Sequence, residues 1–517
     1  MAAELKTLVL VYPNQRWHKD DFQTQWNLNP STLCLLAAVV DDIVNVEIID
    51  AQFYDLSLEE FIDTIQAIDP SYVGISILTT EYKEILHIAV AAIRRCLPEV
   101  TIIAGGVHVT IEYMDVMSDK SIDFAVIGDG EFVLRDLLSY LEGAGELPQV
   151  GLVYRNDGEL ITQSRAVIDD LSTLPMPKYE LVRMQDYVTT APRIGPNRPP
   201  EMPYARIVIT RGCPVACSFC QVENISGKRV RSPSPEQVVD ELVFLRDHYG
   251  IRSFLIDDDN IVIKKQFFKK LLRIIIESDL GLTFSIGAFA IFSLDDEVLK
   301  LMVDAGCRSV NIAIESGNQR VMDEIVKKPL QLESVQPLIE KLHDAGLSVL
   351  ANFIIGFPNE TWTEIRESIA FAENCGADYV KIFVAVPLKG TIMWDIAIET
   401  GAISVPVGSG DIDWRVSQIT SDEWTPEDVS ILRVYEWDRI NFGTKLKRAK
   451  VAEMWGVTEN ELLDIRKMTR DGLIHSLIDA DRDMNHVDNQ AATPARKWSD
   501  PGTVDCVETS VRIDRKL

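Results

Sequence analysis

The sequence predicts an α/β protein with two successive parallel sheets and a helical C-terminal region. Twice along the chain, short apolar runs alternate with amphipathic helical patterns, and a stretch rich in proline and glycine separates the two series. The 517 residues exceed the length of one ordinary domain. Hydrophobic residues make up 46% and charged residues 25%, which is typical of a globular protein with a sizeable core.

The first series occupies residues 1–142. Its predicted strands are Leu8–Val11, Val46–Ile49, Tyr72–Ile77, Thr101–Ala104 and Phe124–Ile127, and the helices between them include Thr32–Val40, Leu58–Ile68 and Tyr82–Cys96. Ser57 and Glu60 have the spacing of a capping box, which marks the start of the second of these helices. Continuous apolar strands that alternate with helices indicate a parallel sheet covered on both faces. Five such units predict a doubly wound, flavodoxin-like (Rossmann-type) domain that binds ligands beyond the carboxyl ends of its strands.

Residues 143–203 are predicted to be a linker with some strand pairing near Gly151–Tyr154, and residues 204–400 carry the second series. The strands predicted there are Ile207–Thr210, Ser253–Ile256, Thr283–Ile286, Ser309–Ile314, Val349–Ile354 and Tyr379–Phe383, with helices such as Pro235–Asp247, Gln266–Glu277, Asp295–Asp304 and Glu333–Ala345. Six β/α units predict a partial (β/α)6 barrel of the TIM type, whose active site lies at the carboxyl mouth of the strands.

The remainder of the chain is predicted to be helical and then disordered. Residues 401–480 contain the helical patterns Pro426–Lys445 and Glu459–Ile478. Residues 481–517 are polar and lack periodicity, which is typical of a disordered tail.

The charge of the chain disfavours two classes of partner. The 79 acidic and 51 basic side chains give a formal net charge of −28, which repels phosphate backbones and anionic lipid surfaces. No apolar run approaches the roughly 18 residues that a membrane-spanning helix needs. The first residues include an early acid, Glu4, and no pattern of a signal peptide. We therefore expect a soluble cytoplasmic protein without a nucleic-acid partner or a transmembrane segment.

Three of the eight cysteines form a CxxxCxxC pattern, Cys213, Cys217 and Cys220, directly after the first strand of the second series. One tight group in a large chain indicates metal binding more than a disulfide framework. Thiolates suit zinc or an iron–sulfur cluster, but a closed zinc site and an electron-transfer cubane each take four ligands. Three thiolates leave one iron of a cubane open to a substrate. The alternative is a zinc site completed by Cys307, Cys375 or a histidine.

The segment 211–220 resembles the signature of the radical S-adenosylmethionine superfamily, including the Arg-Gly before Cys213 and the aromatic Phe219 before Cys220. The resemblance implies a [4Fe–4S] cluster on the three cysteines that binds and cleaves S-adenosylmethionine. It also implies that Phe219 lies near this cofactor.

Three further strand ends carry residues similar to the cofactor contacts of that superfamily. Asp257, in the run Asp257-Asp258-Asp259-Asn260, corresponds to the polar cluster near the methionine end, although such acids also cap helices. Glu315 and Ser316 follow the fourth strand and correspond to another cofactor-contacting segment. Gly356 and Pro358 follow the fifth strand, where a tight turn lets the backbone approach the adenine, and turn chemistry alone also accounts for them.

The first series resembles cobalamin-binding domains at three strand ends. Ser76 and Leu78 match a Ser-x-Leu element, Gly105-Gly106 matches a Gly-Gly element, and Gly128-Asp129-Gly130-Glu131 is similar to a Gly-Glu-Gly-Glu turn. The resemblance implies that Ser76, Leu78, Gly105, Gly106, Gly128 and Glu131 bind cobalamin, with flavin or no ligand as the alternatives. The usual cobalt-ligating Asp-x-His-x-x-Gly is absent after the first strand, which leaves the lower ligand open. His108 is more typical of a turn or surface residue than of a ligand. Tyr12, Trp17 and Trp26 are candidates for packing near the corrin.

Together, the two series resemble cobalamin-dependent, methyltransferase-like radical S-adenosylmethionine enzymes over about four fifths of the chain. The resemblance implies transfer of a methyl group from methylcobalamin to an unactivated carbon of a small-molecule or lipid intermediate. It also implies an external one-electron donor of the flavodoxin or ferredoxin type. Cyclisation or rearrangement without methyl transfer is the alternative, and a cobalamin- or redox-sensing regulator is a distant one. Lys327 and Lys328 either contact a bound charge or are solvated.

Overall fold

The computed structural model of the protein describes residues 5–18, 28–190, 199–403 and 414–484, with side chains up to residue 474. Its strands are β1 (Thr7–Tyr12), β2 (Asn45–Asp50), β3 (Tyr72–Ser76), β4 (Thr101–Gly105), β5 (Phe124–Val126), β6 (Leu152–Asn156), β7 (Glu159–Thr162), β8 (Tyr204–Ile207), β9 (Ser253–Ile256), β10 (Thr283–Phe289), β11 (Cys307–Glu315), β12 (Ser348–Ile355) and β13 (Tyr379–Val384).

The helices of the same part of the chain are α1 (Ser31–Val40), α2 (Leu58–Ile68), α3 (Lys83–Cys96), α4 (Val107–Val116), α5 (Glu131–Leu141), α6 (Met184–Thr189), α7 (Val222–Ile225), α8 (Pro235–Tyr249), α9 (Lys265–Ser278), α10 (Asp296–Asp304), α11 (Val335–Asp344), α12 (Trp362–Asn374), α13 (Ile392–Glu399), α14 (Pro426–Phe442), α15 (Lys445–Trp455) and α16 (Glu459–Met484). None of these helices is both long enough and apolar enough to cross a membrane.

The first sheet has the strand order β2-β1-β3-β4-β5-β6-β7. Its first five strands are parallel, and their order is that of the flavodoxin-like fold, as the sequence predicts. Strands β6 and β7 add antiparallel to the edge, so this sheet continues into the segment predicted to be a linker. Apolar side chains are buried on both faces of the sheet, because helices cover both.

The second sheet has six parallel strands in chain order from β8 to β13, which is the predicted partial barrel. The prediction of its first strand was displaced: β8 ends at Ile207, where the predicted strand begins. The reason is that the backbone N–H groups of Ile209 and Thr210 donate to the side chain of Asp258 instead of to a neighbouring strand.

The C-terminal helices pack beside and beneath the barrel. The side chain of Asn441 on α14 bonds both the N–H and the C=O of Val380, at distances of 2.9 and 2.8 Å, and so covers the edge strand β13. The helix predicted to run to Lys445 ends earlier, because Thr444 caps a new helix, α15. Helix α16 reaches Met484, so the first residues of the predicted disordered tail are helical, and residues 485–517 lie outside the described part.

Candidate active site between the two domains

The cysteine loop, residues 211–220, leaves the sheet at the carboxyl end of β8, as predicted from its position in the sequence. Its three thiols are half-buried and free. The N–H of Cys213 donates to the Gly227 carbonyl at 3.1 Å, and the N–H of Ser218 donates to the Val326 carbonyl at 3.0 Å. Burial raises the pKa of Cys217 to about 12 and that of Cys220 to about 11, so a metal that binds these thiols must displace their protons.

The structure argues against a closed zinc site. Cys307 begins β11 and Cys375 follows α12, so both lie at the amino ends of barrel strands, across the sheet from the cysteine loop. Among the described residues, no three His, Cys, Asp or Glu side chains are arranged to hold one metal ion. A cubane suits a wider arrangement, because its three thiolates bind three different irons.

The acidic segment 257–260 holds the cysteine loop. The buried carboxylate of Asp258 accepts hydrogen bonds from the N–H of Ile209 at 2.6 Å and from the N–H and hydroxyl of Thr210 at 2.9 and 2.7 Å. Burial raises the pKa of Asp258 to about 7. Asp259 accepts a bond from the N–H of Gly212 at 3.0 Å, and the Asn260 amide lies 3.9 Å from the Cys213 sulfur. These side chains therefore bind the loop, and Asn260 does not cap the turn that follows it.

Asp257, the member of this segment predicted to contact a cofactor, forms an ion pair with Arg206 on β8. Lys381 on β13 interacts electrostatically with both Asp257 and Arg206. Burial lowers the pKa of Lys381 to about 7. Its register partner on β12 is Asn352, whose side-chain amide oxygen Oδ1 has no hydrogen-bond partner. The barrel therefore contains a polar group of side chains that the sequence analysis did not identify.

Glu315 lies at the carboxyl end of β11 with a positive φ of 80°. Its carboxylate accepts a hydrogen bond at 2.8 Å from Lys328, which also donates to the Ala313 carbonyl at 2.6 Å. Lys328 is therefore buried and paired within the protein, whereas Lys327 is exposed. Ser316 is fully buried, and its hydroxyl bonds Ser368 of α12 at 2.9 Å.

The turn after β12 packs against the cysteine loop. The ring centroid of Phe219 lies 6.0 Å from that of Phe357. Gly356 has φ of 83°, and an added Cβ would lie 2.8 Å from Val429 of α14, so this glycine makes room for a helix. Pro358 is buried in the same turn.

Glu360, which the sequence analysis did not select, closes this turn. One carboxylate oxygen accepts bonds from the N–H groups of Gly356 and Phe357, at 2.7 and 2.9 Å. Burial raises its pKa to about 8. A Glu four residues after the glycine was the signal available in the sequence.

A cavity of about 560 Å³ lies between the carboxyl edge of the first sheet and the barrel. The structure brings all six predicted cobalamin-binding residues to its wall, namely Ser76, Leu78, Gly105, Gly106, Gly128 and Glu131. The barrel contributes Arg206, Val208, Thr210, Arg211, Asp257 and Asp259. Phe219, Glu315, Ser316, Gly356 and Pro358 are not among the lining residues and lie around the barrel mouth instead.

Two adjacent glycines shape the cavity wall in different ways. A Cβ added to Gly105 would meet no atom within 4 Å, so this position opens onto free space. Gly106 has φ of 99°, and an added Cβ would lie 2.5 Å from the Ile77 carbonyl oxygen. Gly106 is therefore required by the backbone, whereas Gly105 keeps the cavity clear.

The other candidates near this cavity have separate positions. His108 is buried rather than at a surface, neither ring nitrogen has a partner, and burial lowers its pKa to about 4. It is not among the residues that line the cavity, whereas Tyr12 is. Trp17 packs against Phe61, with ring centroids 4.9 Å apart. Trp26 lies outside the described residues.

Four charged side chains, the interdomain ion cluster, connect the two domains beside the cavity: Asp129, Glu131, Arg211 and Arg231. Arg211 donates to Asp129 at 2.9 Å and to Glu131 at 2.5 Å. Arg231 pairs with Asp129 and donates to the Ile168 carbonyl at 2.7 Å. Burial alone would raise the pKa of Asp129, but the two arginines outweigh it and keep that pKa below its ordinary value.

Comparison with known proteins identifies the family. A model of the radical SAM superfamily matches residues 207–372, and a model of the B12 binding domain matches residues 27–138. An uncharacterized methyltransferase of Pyrococcus horikoshii is 31% identical, in an alignment covering 72% of this chain and 79% of that protein. The chain belongs to the cobalamin-dependent radical S-adenosylmethionine methyltransferase family.

Two other relatives catalyse different reactions, by their names. Cytidylyl-2-hydroxyethylphosphonate methyltransferase of Streptomyces wedmorensis is 29% identical over 68% of this chain and 72% of that protein. Anaerobic magnesium-protoporphyrin IX monomethyl ester cyclase of Rubrivivax gelatinosus is 27% identical over 72% of this chain and 66% of that protein. A solved structure of the methyltransferase TsrM from Kitasatospora setae, with cobalamin and a [4Fe–4S] cluster, has a TM-score of 0.64 at 19% identity. The match covers 82% of this chain and 78% of the TsrM chain, which shows that the two proteins have a common fold.

As a member of this family, the protein uses a [4Fe–4S] cluster, S-adenosylmethionine and cobalamin. The residues present fit these groups. Three free thiols on one loop suit a cubane with an open iron, and the glycine-lined wall leaves room for a large cofactor.

Proposed function

We propose that this protein transfers a methyl group from S-adenosylmethionine to an unactivated carbon of a small-molecule intermediate. The observation that carries the proposal is the shared cavity, whose walls come from the predicted cobalamin-binding residues and from β8, the acidic segment after β9 and the base of the cysteine loop. When bound, the cluster supplies the electron that cleaves S-adenosylmethionine, and cobalamin supplies the methyl carrier. The protein supplies orientation and exclusion of water.

Side chains at the barrel mouth hold the cluster and S-adenosylmethionine in this proposal. Cys213, Cys217 and Cys220 hold the cluster, and Asp258 and Asp259 fix their loop through its backbone. Glu315, held by Lys328, presents a buried carboxylate at the barrel mouth. Such a carboxylate suits the cationic amino group of S-adenosylmethionine.

The polar group inside the barrel supports a substrate with a polar or charged part. Arg206 pairs with Asp257 through one nitrogen, while its Nε is buried without a partner. The side-chain amide oxygens of Asn311 and Asn352 are also buried without partners. Buried polar atoms are usually satisfied, so these atoms favour a hydrogen-bonding substrate in the barrel.

We propose that four residues around the barrel mouth shape the S-adenosylmethionine site without lining the shared cavity: Phe219, Ser316, Gly356 and Pro358. An external one-electron donor of the flavodoxin or ferredoxin type reduces the cluster. A cytoplasmic location suits the cysteines of the described residues, all of which are free thiols.

The test measures the first half of the reaction, which needs no known substrate. Anaerobically purified protein is reconstituted with iron, sulfide and hydroxocobalamin, reduced, and given S-adenosylmethionine with a deuterated methyl group. Labelled methylcobalamin together with S-adenosylhomocysteine would support methyl transfer. Zinc in place of iron, or absence of cobalt, would contradict the proposal.

Cyclisation or rearrangement is the second candidate, and the cyclase relative favours it. This reaction uses the same two cofactors but transfers no methyl group. Formation of 5′-deoxyadenosine with unlabelled cobalamin would therefore select the second candidate over the first. A Cys217→Ala variant is the control for cleavage that does not depend on the cluster.

A further inference from the structure

The interdomain ion cluster combines two positive and two negative side chains in a buried place. The exposed fractions of the side chains are 22% for Arg211, 8% for Asp129, 4% for Glu131 and 1% for Arg231. Buried charges are stable only while they remain paired and hydrogen-bonded. Movement of one member is therefore transmitted to the others.

Arg211 is part of the cysteine loop. Its backbone N–H and C=O pair with those of Arg231 at 3.0 and 2.9 Å, directly before the turn that leads to Cys213. Gly212 in that turn has φ of 96°, and an added Cβ would lie 2.4 Å from the Arg229 carbonyl oxygen. The loop base is thus tightly packed, and a displacement of Arg211 displaces the first cluster ligand.

Three members of the cluster line the cavity, Asp129, Glu131 and Arg211, and of the two carboxylates Glu131 is the one with an unpartnered oxygen. It begins α5 and lines the cavity, and one carboxylate oxygen binds Arg211. The other oxygen, Oε2, is buried without a hydrogen-bond partner. A buried carboxylate oxygen without a donor is unfavourable, so this atom is suited to a donor on a ligand in the cavity. The corrin ring of cobalamin carries amide side chains, which are such donors.

We propose that Glu131 accepts a hydrogen bond from an amide on the rim of cobalamin, and that Arg211 transmits this contact to the cysteine loop. Binding of cobalamin and retention of the cluster then strengthen each other. Arg211 is a positioning residue in this scheme, because its task is to transmit the contact of Glu131 to the cysteine loop. The inference rests on the binding of both cofactors and not on methyl transfer.

The binding of cobalamin and the binding of the cluster are linked thermodynamically in this scheme. If the cluster tightens cobalamin binding by some factor, cobalamin tightens cluster binding by the same factor. Couplings of this kind are typically about 5- to 150-fold. Without the contact through Arg211, the factor is 1.

The experiment compares the dissociation constant of hydroxocobalamin for cluster-loaded protein and for protein whose cluster has been removed with a chelator. Equilibrium dialysis under anaerobic conditions gives both values without turnover. For the unmodified protein we expect a ratio above about 5, and for Arg211→Gln a ratio near 1. Arg211→Lys keeps the charge and should restore part of the ratio. The rate of iron loss to a chelator, with and without cobalamin, is the second readout.

Arg229→Gln is the matched control. Arg229 lies on the same segment as Arg231, but its ion pair with Asp169 is at the surface, with 72% and 82% of the two side chains exposed. This variant should keep the ratio of the unmodified protein, because exposed ion pairs contribute little.

Two results would overturn the proposal: equal dissociation constants in the unmodified protein, or an unchanged ratio in Arg211→Gln. If Arg211→Gln fails to fold, as judged by circular dichroism, Glu131→Gln decides the question. That variant keeps the shape of the side chain and removes the charge that holds Arg211. A ratio near 1 would support the proposal, and an unchanged ratio would overturn it. Neither result depends on methyl transfer, so failure here leaves the proposed function standing.

Discussion

The carboxyl edges of the two sheets differ in the residues that line them. Glycines line the edge of the first sheet. At the barrel, the edge carries carboxylates that accept hydrogen bonds from the protein backbone. At the first edge, Gly105 opens onto free space and Gly106 lets two backbone segments meet. At the second edge, Asp258 and Asp259 accept hydrogen bonds from the N–H groups around the cysteine loop.

The difference follows from what each edge has to hold. A large cofactor needs space, and Gly105 leaves that space free of a side chain. Three cysteines must be held at fixed positions, so the loop that carries them needs side chains around it. Substitutions should therefore have opposite consequences at the two edges: an added side chain blocks binding at the first, and a removed one loosens the second.

The largest effect is expected at the barrel edge. Cys217→Ala removes one of the three proposed cluster ligands, so iron content and cleavage of S-adenosylmethionine should fall to background while the fold persists. Iron analysis and assay of 5′-deoxyadenosine measure this. Cys307→Ala is the control, because Cys307 is buried at the opposite end of the barrel strands and should leave iron binding intact.

At the glycine edge, Gly105→Leu should weaken cobalamin binding by roughly 100-fold or more, which is about 2.7 kcal/mol. The added side chain occupies cavity space and its Cβ meets no protein atom within 4 Å, so the melting temperature should change little. Equilibrium dialysis and differential scanning fluorimetry measure the two quantities. Gly106→Ala should show the reverse pattern, with a loss of stability caused by its φ of 99° and the contact with Ile77. A stable Gly106→Ala protein would contradict this account of the edge.

Removal of a loop-holding carboxylate should loosen the cluster without removing a ligand. Asp258→Ala leaves the N–H groups of Ile209 and Thr210 without their acceptor, which costs about 2–3 kcal/mol of unfolding free energy. Iron should also be lost to a chelator more rapidly. Chemical denaturation and the rate of iron loss measure these effects. Unchanged iron loss would show that Asp258 serves the fold alone.

The smallest effect concerns Glu360, the carboxylate that closes the turn after β12. Burial raises its pKa from 4.5 to about 8, so between these values the folded protein holds a proton that the unfolded chain has released. This contribution to stability is present at low pH and is lost as the pH rises through about 8. Between pH 6.5 and 7.5 the loss is about 1 kcal/mol, and Glu360→Gln should not show it.

Urea titrations of both proteins at the two pH values measure this difference. Glu364→Gln is the control, because the Arg320 side chain lowers the pKa of Glu364 to about 2 and removes it from this pH range. That variant should be less stable by a similar amount at both pH values. An identical pH dependence in Glu360→Gln and the unmodified protein would show that Glu360 is ionised in the fold.

Sequence patterns predicted the elements well where a single local signal decides them. Helix α2 occupies the predicted residues, with the predicted capping box between Ser57 and Glu60. The hairpin of β6 and β7 was only partly predicted, although Asp157-Gly158 supplies the two positive φ angles of a tight turn. The predicted position of strand β8 was wrong, because the apolar pattern continues past Ile207. The strand ends there, and the chain turns towards Asp258.

The position of the cysteine loop was predictable, but the partners of the charged residues were not. Asp258 binds a residue 49 positions away, and Arg211 binds one 82 positions away. Local spacing carries no information about such contacts, because they depend on how the two domains meet. The sequence analysis selected Asp257 among the three successive acids, and only the fold shows that Asp258 and Asp259 hold the cysteine loop.

The segment 166–168 has a consequence for how cofactors enter. Ala166 bonds the backbone of Ile127 and Asp129 at 3.0 Å, and the N–H of Ile168 donates to Asp129 at 2.8 Å. On its other side, the Ile168 carbonyl accepts a bond from Arg231 of the barrel. A hinge needs backbone that rotates without breaking hydrogen bonds, and this connection has none at these positions. Rotation of the domains about this segment would break these bonds, so we expect the folded apoprotein to take up cobalamin slowly.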